Sequence, residues 1–432
     1  MYPKDIVLIT SGQPATNPRL VREADLFTAN GHHVTVLYCY WNKWATLADQ
    51  ELFSSRKWQR ILVAGAPGKA SISYYKNKFF HHLLKWCNRL QITGRLKTYA
   101  FSRATPPLIQ AARRIPADLY IAHNLAALPA AVSAAKRHHA SAGFDAEDYH
   151  RQETAASPDN QESRRKVMIE DIYIPQLDHF TTSSSGIAEL YYQHYHRRPL
   201  VIRNLLPKVE IPHTTETIAP SASMASMASM ASMAKIALMD VPRTIKLFWF
   251  SQTIGPNRGL ELIMEALRYI APGQYELHLL GEPKLDYVRQ LHGLASLNNI
   301  PWSNLHLHKP VGPEELTKLC TSFDVGLASE PGFCLNNDIA LSNKLFTYIQ
   351  AGLAVLLSDT TAQRSFFDQH PTIGKCYQKD DAVHLAQAIQ YYVDHEQVLA
   401  DTKNSNYQMG QRALNWEMES QTLMQSIELI LS

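Results

Sequence analysis

Cysteine is scarce in this chain: five in 432 residues, at positions 39, 87, 320, 334 and 376, with no CxxC pair. An odd, dispersed set excludes a disulfide scaffold and a paired-cysteine zinc site, and it fits a reducing compartment. Long apolar runs are missing as well, since no window approaches the ~20 residues that span a bilayer. The opening MYPKDIVLITSG lacks the basic, apolar and small-residue regions of a signal peptide, so a cytoplasmic protein is expected, at most peripheral to the inner membrane face. Glycine patterns are thin too. Only Gly12 follows the first apolar run, where a dinucleotide enzyme needs GxGxxG, and no Walker pattern occurs. The nearest approach to a DxD metal motif is Asp145-Ala146-Glu147, so no metal is expected. The remaining composition, 45% hydrophobic and 19% charged with a formal net charge of +3, excludes a disordered or fibrous chain.

One further absence is local. Between Glu51 and Asp118 there is no acidic residue, whereas thirteen Lys and Arg fall in that stretch. Its centre, KNKFFHHLLKWCNRLQITGRLK, carries Phe79, Phe80, Leu83, Leu84, Cys87 and Leu90 at helical spacing, with Lys78, Lys85 and Arg89 among and beside them. A basic amphipathic helix of this kind settles on anionic lipid, which predicts a membrane-surface contact through residues 76–97. The plainer alternative is a core helix with a solvated basic face. No nucleic-acid recognition motif accompanies the patch, so no nucleic acid is expected as partner.

What is present is a regular alternation of apolar strands and amphipathic helices. DIVLIT, the turn SGQPATNP, the helical RLVREADLFTANG and the strand HHVTVLYCY open a parallel doubly wound sheet. DLYIAHN, SAGFDAED, HFTTSSSGIAELYYQHY and LVIRNLLP continue it. The texture changes at 206–243, where SASMASMASMASMA lacks charge and aromatics and reads as a linker or insertion. The alternation then restarts with TIKLFWFSQ, YELHLLG, DVGLASE and LAVLLSD. The predicted fold is α/β, with two doubly wound Rossmann-like domains at 1–205 and 244–410 facing each other across a cleft, and a helical tail at 411–432 that packs back on the first.

Two helix starts in the second half attract an anion. In LSNKLFTYIQAG, Ser342 is a good N-cap, Gly352 a good stop, and Lys344 adds a full charge to the unpaired amides of the first turn. In SQTIGPNRGLELIMEAL, Arg258 and Gly259 open another helix, the arginine able to grip a diphosphate bidentately and the glycine allowing close backbone approach.

Taken together, these segments resemble the GT-B glycosyltransferases, in particular the large retaining family that builds bacterial polysaccharides and glycolipids from nucleotide sugars. PATNPRLVREADLFTANGHHVTVLY resembles that family's opening loop, helix and strand; DLYIAHNLAALPAA and FDAED resemble its next two strand ends. NRGLELIMEAL and SNKLFTYIQAGLAVLLSD resemble its donor loop and its NKLFEYxAAGxPVVxSD motif. The resemblance runs nearly end to end. It implies metal-free sugar transfer with retention, from a nucleotide-diphosphate sugar (a UDP-sugar first) to a glycan or lipid-linked acceptor, with no cofactor. Gly12, Arg258, Gly259, Ser342, Asn343 and Lys344 would hold the donor diphosphate, and Thr347, Val311 and Glu282 would lie at the ribose and base. His123 would contact the sugar or help deprotonate the acceptor, the plainer reading being a hydrogen-bonded structural histidine. Asp145, Glu147 and Asp148 would face the acceptor, unless that loop is simply solvated. The chain departs from the family at its E-x7-E pair, where Ile339 and Thr347 stand, and Glu330 is the expected substitute carboxylate in the catalytic set. Two other readings share this architecture: a nucleotide-binding scaffold without transfer, and a sugar-nucleotide epimerase.

Overall fold

The apolar runs of the sequence become the buried strands of two all-parallel sheets. The computed structural model describes residues 2–68, 71–89, 95–153, 160–208 and 243–432, and the chain divides into two compact units. Most of the expected linker, 209–242 of 206–243, lies outside the described residues.

The first unit comprises Met1–Asn204, Cys334–Ala340 and Met418–Ser432. Its strands are β1 (Asp5–Thr10), β2 (His33–Cys39), β3 (Gln59–Val63), β4 (Leu119–His123), β5 (Ser141–Ala146), β6 (His179–Thr182) and β7 (Leu200–Val201), ordered β3-β2-β1-β4-β5-β6-β7. Parallel strands covered by helices on both faces read as continuous apolar runs, and Ile6, Val7, Leu8 and Ile9 are all buried accordingly. The second unit comprises Leu205–Phe333 and Leu341–Glu417. It holds β8 (Ile245–Ile254), β9 (Tyr275–Pro283), β10 (Leu305–His308), β11 (Val325–Ala328), β12 (Ala354–Ser358) and β13 (Gly374–Tyr377), ordered β10-β9-β8-β11-β12-β13. In both sheets the strand order reverses beside the first strand, between β1 and β4 and between β8 and β11. Doubly wound sheets bind ligands at the carboxyl ends of the strands at such a reversal.

The α/β class and the two doubly wound sheets are as the sequence predicts. The boundaries differ in two places. Cys334–Ala340, expected within the second domain, belongs to the first unit, because its polar groups are satisfied there. Asn336 accepts from the Tyr149 amide (2.7 Å) and donates to Asp148 (2.9 Å), and Ser184 Oγ donates to the Ile339 carbonyl (2.7 Å). The helical tail, expected from 411, is split: the helix Trp416–Leu431 joins the first unit from Met418, where Glu419 accepts from the Arg203 amide (2.6 Å) and guanidinium (2.9 Å).

Candidate functional site: strand ends of the two units

In the second unit, Arg258, Gly259 and Lys344 of the sequence-predicted donor residues lie about the β8/β11 reversal. β8 is irregular in its pairing with β9 between Phe250 and Thr253, and Ser251, within that irregularity, accepts a hydrogen bond from Arg258 Nη1 at 2.7 Å. The turn after β8 passes through left-handed backbone at Asn257 (φ 60) and Gly259 (φ 80) before the helix Leu260–Leu267 begins. Glycine is required at 259 on two counts: the positive φ, and a Cβ that would sit 2.8 Å from Ser329 Cβ and 2.9 Å from the Ser329 carbonyl oxygen. Close packing of this turn onto the end of β11 therefore sets where Arg258 stands. The buried Trp249 ring ties the cluster together. Its Nε1 donates to the Arg258 carbonyl at 3.3 Å, and the Lys344 ammonium lies 5.7 Å from the ring centre.

Lys344 enters from the helix Asn343–Ala351. Ser342 caps that helix, its Oγ accepting from the Lys344 amide at 3.4 Å. Gly352, at φ 73, ends it. Lys344 is 8% exposed and its ammonium pairs with Glu330 Oε1 at 2.6 Å. Glu330 is itself held at the β11 end by Ser358, which accepts from the Glu330 amide and donates to its carbonyl, both at 2.8 Å. Tyr377 donates to Ser329 Oγ at 2.6 Å, so the ends of β11, β12 and β13 are knitted by hydroxyls. A helix N-terminus, an ammonium and a guanidinium at one strand reversal are groups that can attract a polyanion, with one carboxylate beside them as internal counter-ion. Thr347 is buried, and its hydroxyl donates back to the Asn343 carbonyl at 3.0 Å. Val311 packs half-buried against the core beyond β10, and Glu282 is exposed near the carboxyl end of β9. Ile339, the other departure position, is buried in the first unit's core.

The first unit builds a different site. Parallel register aligns Thr10 with His123, His123 with Asp145, and Asp145 with Thr181, so four adjacent strands carry one polar row near their carboxyl ends. The helix Pro18–Ala29 lays Arg19 and Glu23, one turn apart, over that row. Arg19 grips Asp145 through two bonds (2.7 and 2.6 Å) and donates to the Ile202 carbonyl at 2.6 Å. Thr181 Oγ1 donates to the same carboxylate at 2.8 Å. His123 Nε2 is 3.1 Å from Glu23, and its Nδ1 is 3.4 Å from Asp145. Burial alone would lower the His123 pKa, but the charges of Glu23 and Asp145 outweigh it and hold it up at about 9. Burial would likewise raise Asp145, yet Arg19 and His123 keep it well below the usual carboxylate range.

These facts bear on two expectations. Asp145 is buried, with both oxygens bound by Arg19. His123 is 1% exposed and lies between two carboxylates, the surroundings that the structural-histidine alternative describes. Glu147 and Asp148 are half-buried beyond the strand end. Glu147 accepts from Asn204 at 3.2 Å, and burial pushes its carboxyl up to about 7 despite Arg19. Gly12 is buried in the loop after β1, with its amide on Thr10 Oγ1 at 3.2 Å. Arg19, Glu23, Trp249 and Ser251 were not legible as site residues. The signal available was a charged pair at helical spacing inside an otherwise apolar helix face.

The basic stretch forms the helix Ser71–Arg89. Ile72, Tyr75, Phe79, Phe80 and Leu83 are exposed along it, 86% in the case of Ile72, and Lys76 and Lys78 are exposed beside them. Tyr74 meets Tyr40 edge-on at 5.8 Å, and Trp41, next to Tyr40 in the chain, is exposed. The side chains of Lys85 and Arg89, and residues 90–94, lie outside the described residues. Among the described residues, no helix is long and apolar enough to cross a membrane.

No family model and no curated relative matches the chain by sequence. Among solved structures, HepE from Anabaena in complex with UDP and glucose is similar at TM-score 0.67 and 14% identity, covering 99% of this chain and 100% of that one. A sucrose-phosphate synthase from Thermosynechococcus elongatus is similar at TM-score 0.63 and 13% identity, with 99% of each chain covered. WaaG, a glycosyltransferase involved in lipopolysaccharide biosynthesis, is similar at TM-score 0.58 and 12% identity, covering 96% and 98%. The resemblance drawn from the sequence motifs therefore meets the same architecture: this chain has the GT-B fold.

Proposed function

We propose that the chain is a glycosyltransferase that takes a sugar from a nucleotide-diphosphate donor, with the diphosphate held in the second unit. The observation that carries this reading is the cluster of Arg258, Gly259, Glu330 and the capped helix start Ser342–Lys344 at the β8/β11 reversal. Departure of a nucleoside diphosphate develops negative charge on the β-phosphate. Fixed positive groups in a partly dry pocket stabilise that charge without reorganising, so no metal is needed. Lys344 is then shared between Glu330 and the donor, and Arg258 is the second cation. Transfer with retention of configuration, the UDP-sugar as donor and a glycan or lipid-linked acceptor belong to the same reading. They are supported by the motif resemblance and by the UDP bound in the HepE crystals. Glu147 and Asp148, half-buried beyond β5 in the first unit, are the carboxylates offered to an acceptor.

Calorimetric titration with UDP, GDP, dTDP and ADP tests the donor site. One of these should bind at micromolar level and be lost in both Arg258→Ala and Lys344→Ala. Absence of binding by all four would overturn the reading. It would favour the scaffold alternative, which one observation supports: Thr347, at the position of the missing ribose-binding glutamate, already spends its hydroxyl on the Asn343 carbonyl.

The acceptor side of the proposal includes anionic lipid. The exposed aromatic and aliphatic side chains of Ser71–Arg89, with Lys76 and Lys78 beside them, have the make-up of an interfacial helix. Vesicles containing phosphatidylglycerol should sediment the wild-type chain. The variant K76E/K78E should lose most of that binding, and F79S/F80S should lose it even at low salt. Equal sedimentation of all three would end the membrane assignment while leaving the donor site untouched.

A further inference from the structure

We propose that Glu276, His278 and His306 form a binding site for one divalent transition-metal ion of the zinc class, fastening the edge strand β10 to β9. Glu276 and His278 stand two residues apart on β9 and so project from the same face. His306 lies directly opposite His278 in the parallel register of β10. One ligand atom from each of the three lies within 4.8 Å of the other two. His278 Nε2 and Glu276 Oε2 are already 3.3 Å apart, close to the spacing of two donors on one tetrahedral ion, roughly 3–3.5 Å.

Two features separate this cluster from histidines that merely fill space. His306 Nε2 is buried and has no hydrogen-bond partner, a cost that a metal bond would remove. His278 Nδ1 is 3.0 Å from His308 Nε2. That is the arrangement by which a ligating histidine donates its far N–H to an outer acceptor, leaving Nε2 bare toward the ion. Phe323 covers the group, its ring centre 4.7 Å from that of His278. Burial also lowers the His278 pKa, to about 4, so its imidazole is neutral near pH 7. The His278 and His306 rings are stacked, with centres 4.5 Å apart and planes 17° apart, so binding turns His306 about its Cβ–Cγ bond to aim a nitrogen at the ion. His306 is half-buried and stands on an edge strand. Two imidazoles and a carboxylate select zinc, cobalt or nickel over magnesium or calcium, with a fourth position left for water. The site is nearer the amino ends of β9 and β10, away from the carboxyl-end cluster of Arg258 and Lys344, and does not depend on the proposed transfer.

The test is titration of untagged, chelator-treated full-length chain with Co2+ and Zn2+. The expected result is one ion per chain at micromolar affinity, with the visible absorption of tetrahedral cobalt, displaced by zinc. His306→Ala and Glu276→Gln should each weaken binding about tenfold or more, while H81N/H82N, a histidine pair elsewhere, should leave it unchanged. Metal-free thermal melts of the two site variants confirm that they fold. Absence of the cobalt band, or equal affinity in wild type and His306→Ala, would overturn the site and leave the cluster as stacked rings.

Discussion

Lys344→Ala is expected to lower the rate of sugar transfer by about 10²- to 10³-fold, the usual loss when one fixed donor to a developing anion is removed. Two effects add. The departing diphosphate loses its nearest buried ammonium, and Glu330, deprived of the partner at 2.6 Å, is left facing the same anion. Because charge on the diphosphate grows as the glycosidic bond breaks, kcat should fall more than KM rises. Removing one member of a buried pair also destabilises, typically by about 3–5 kcal/mol. The control is therefore E330Q/K344M, which removes the pair together and should restore the thermal midpoint but not the activity. Single-turnover transfer within threefold of wild type in Lys344→Ala would refute the role. Arg258→Ala should act in the same direction with less loss of stability, since Arg258 is half-buried and its Nη1 donates to the neutral Ser251 hydroxyl.

Arg19→Leu should destabilise the first unit by about 3–5 kcal/mol, because it strips the buried Asp145 carboxylate of its bidentate partner. Hydrogen exchange followed by mass spectrometry localises the effect: protection should fall across β1, β4 and β5 and stay unchanged in β8–β13. Unchanged protection in β4 and β5 would refute the role of the pair. The same network fixes a pH dependence. His123 has a folded pKa raised to about 9 against an ordinary 6.5, so the folded unit holds a proton that the unfolded chain releases between those values. Its contribution to stability is complete below about pH 6.5 and is lost as pH rises through 9. Glu147, raised to about 7 from an ordinary 4.5, pulls in the same direction over the lower window. Asp145 pulls the other way: its folded pKa is depressed, so its contribution is present above the ordinary carboxylate range and lost in stronger acid. Denaturation midpoints of the first unit should therefore fall from pH 6 to pH 9.5, and His123→Gln should flatten the upper part of that slope. An unflattened profile would mean that His123 does not carry the proton.

Several site residues were legible in advance for a local reason. Ser342 before Lys344 and Gly352 ten residues after Ser342 are N-cap and C-cap chemistry, which depends on the residues of one helix and little else. Gly259 after Arg258 was legible for the same reason, since a helix entered through left-handed backbone wants glycine. The acid-free stretch from 52 to 117 was legible because charge composition needs no coordinates. His123 and Asp145 were legible as strand-end polar residues, but what they do was not. Their partners Arg19 and Glu23 lie 100 residues away or more, and only the register of four parallel strands brings them together.

By itself, then, the sequence determined which segments are strands and helices, that they wind into two parallel sheets, and which two helix starts carry a cation. Periodicity and capping are short-range properties, and a strictly parallel order follows from their alternation. Tertiary structure alone decided which charges are spent internally. It paired Lys344 with Glu330, closed Arg19 on Asp145 beneath the surface, set His306 opposite His278, and assigned Cys334–Ala340 to the first unit. Each of those outcomes rests on desolvation. A charge or polar backbone group that leaves water must find its partner within hydrogen-bond reach, and that partner is chosen by packing rather than by position in the chain.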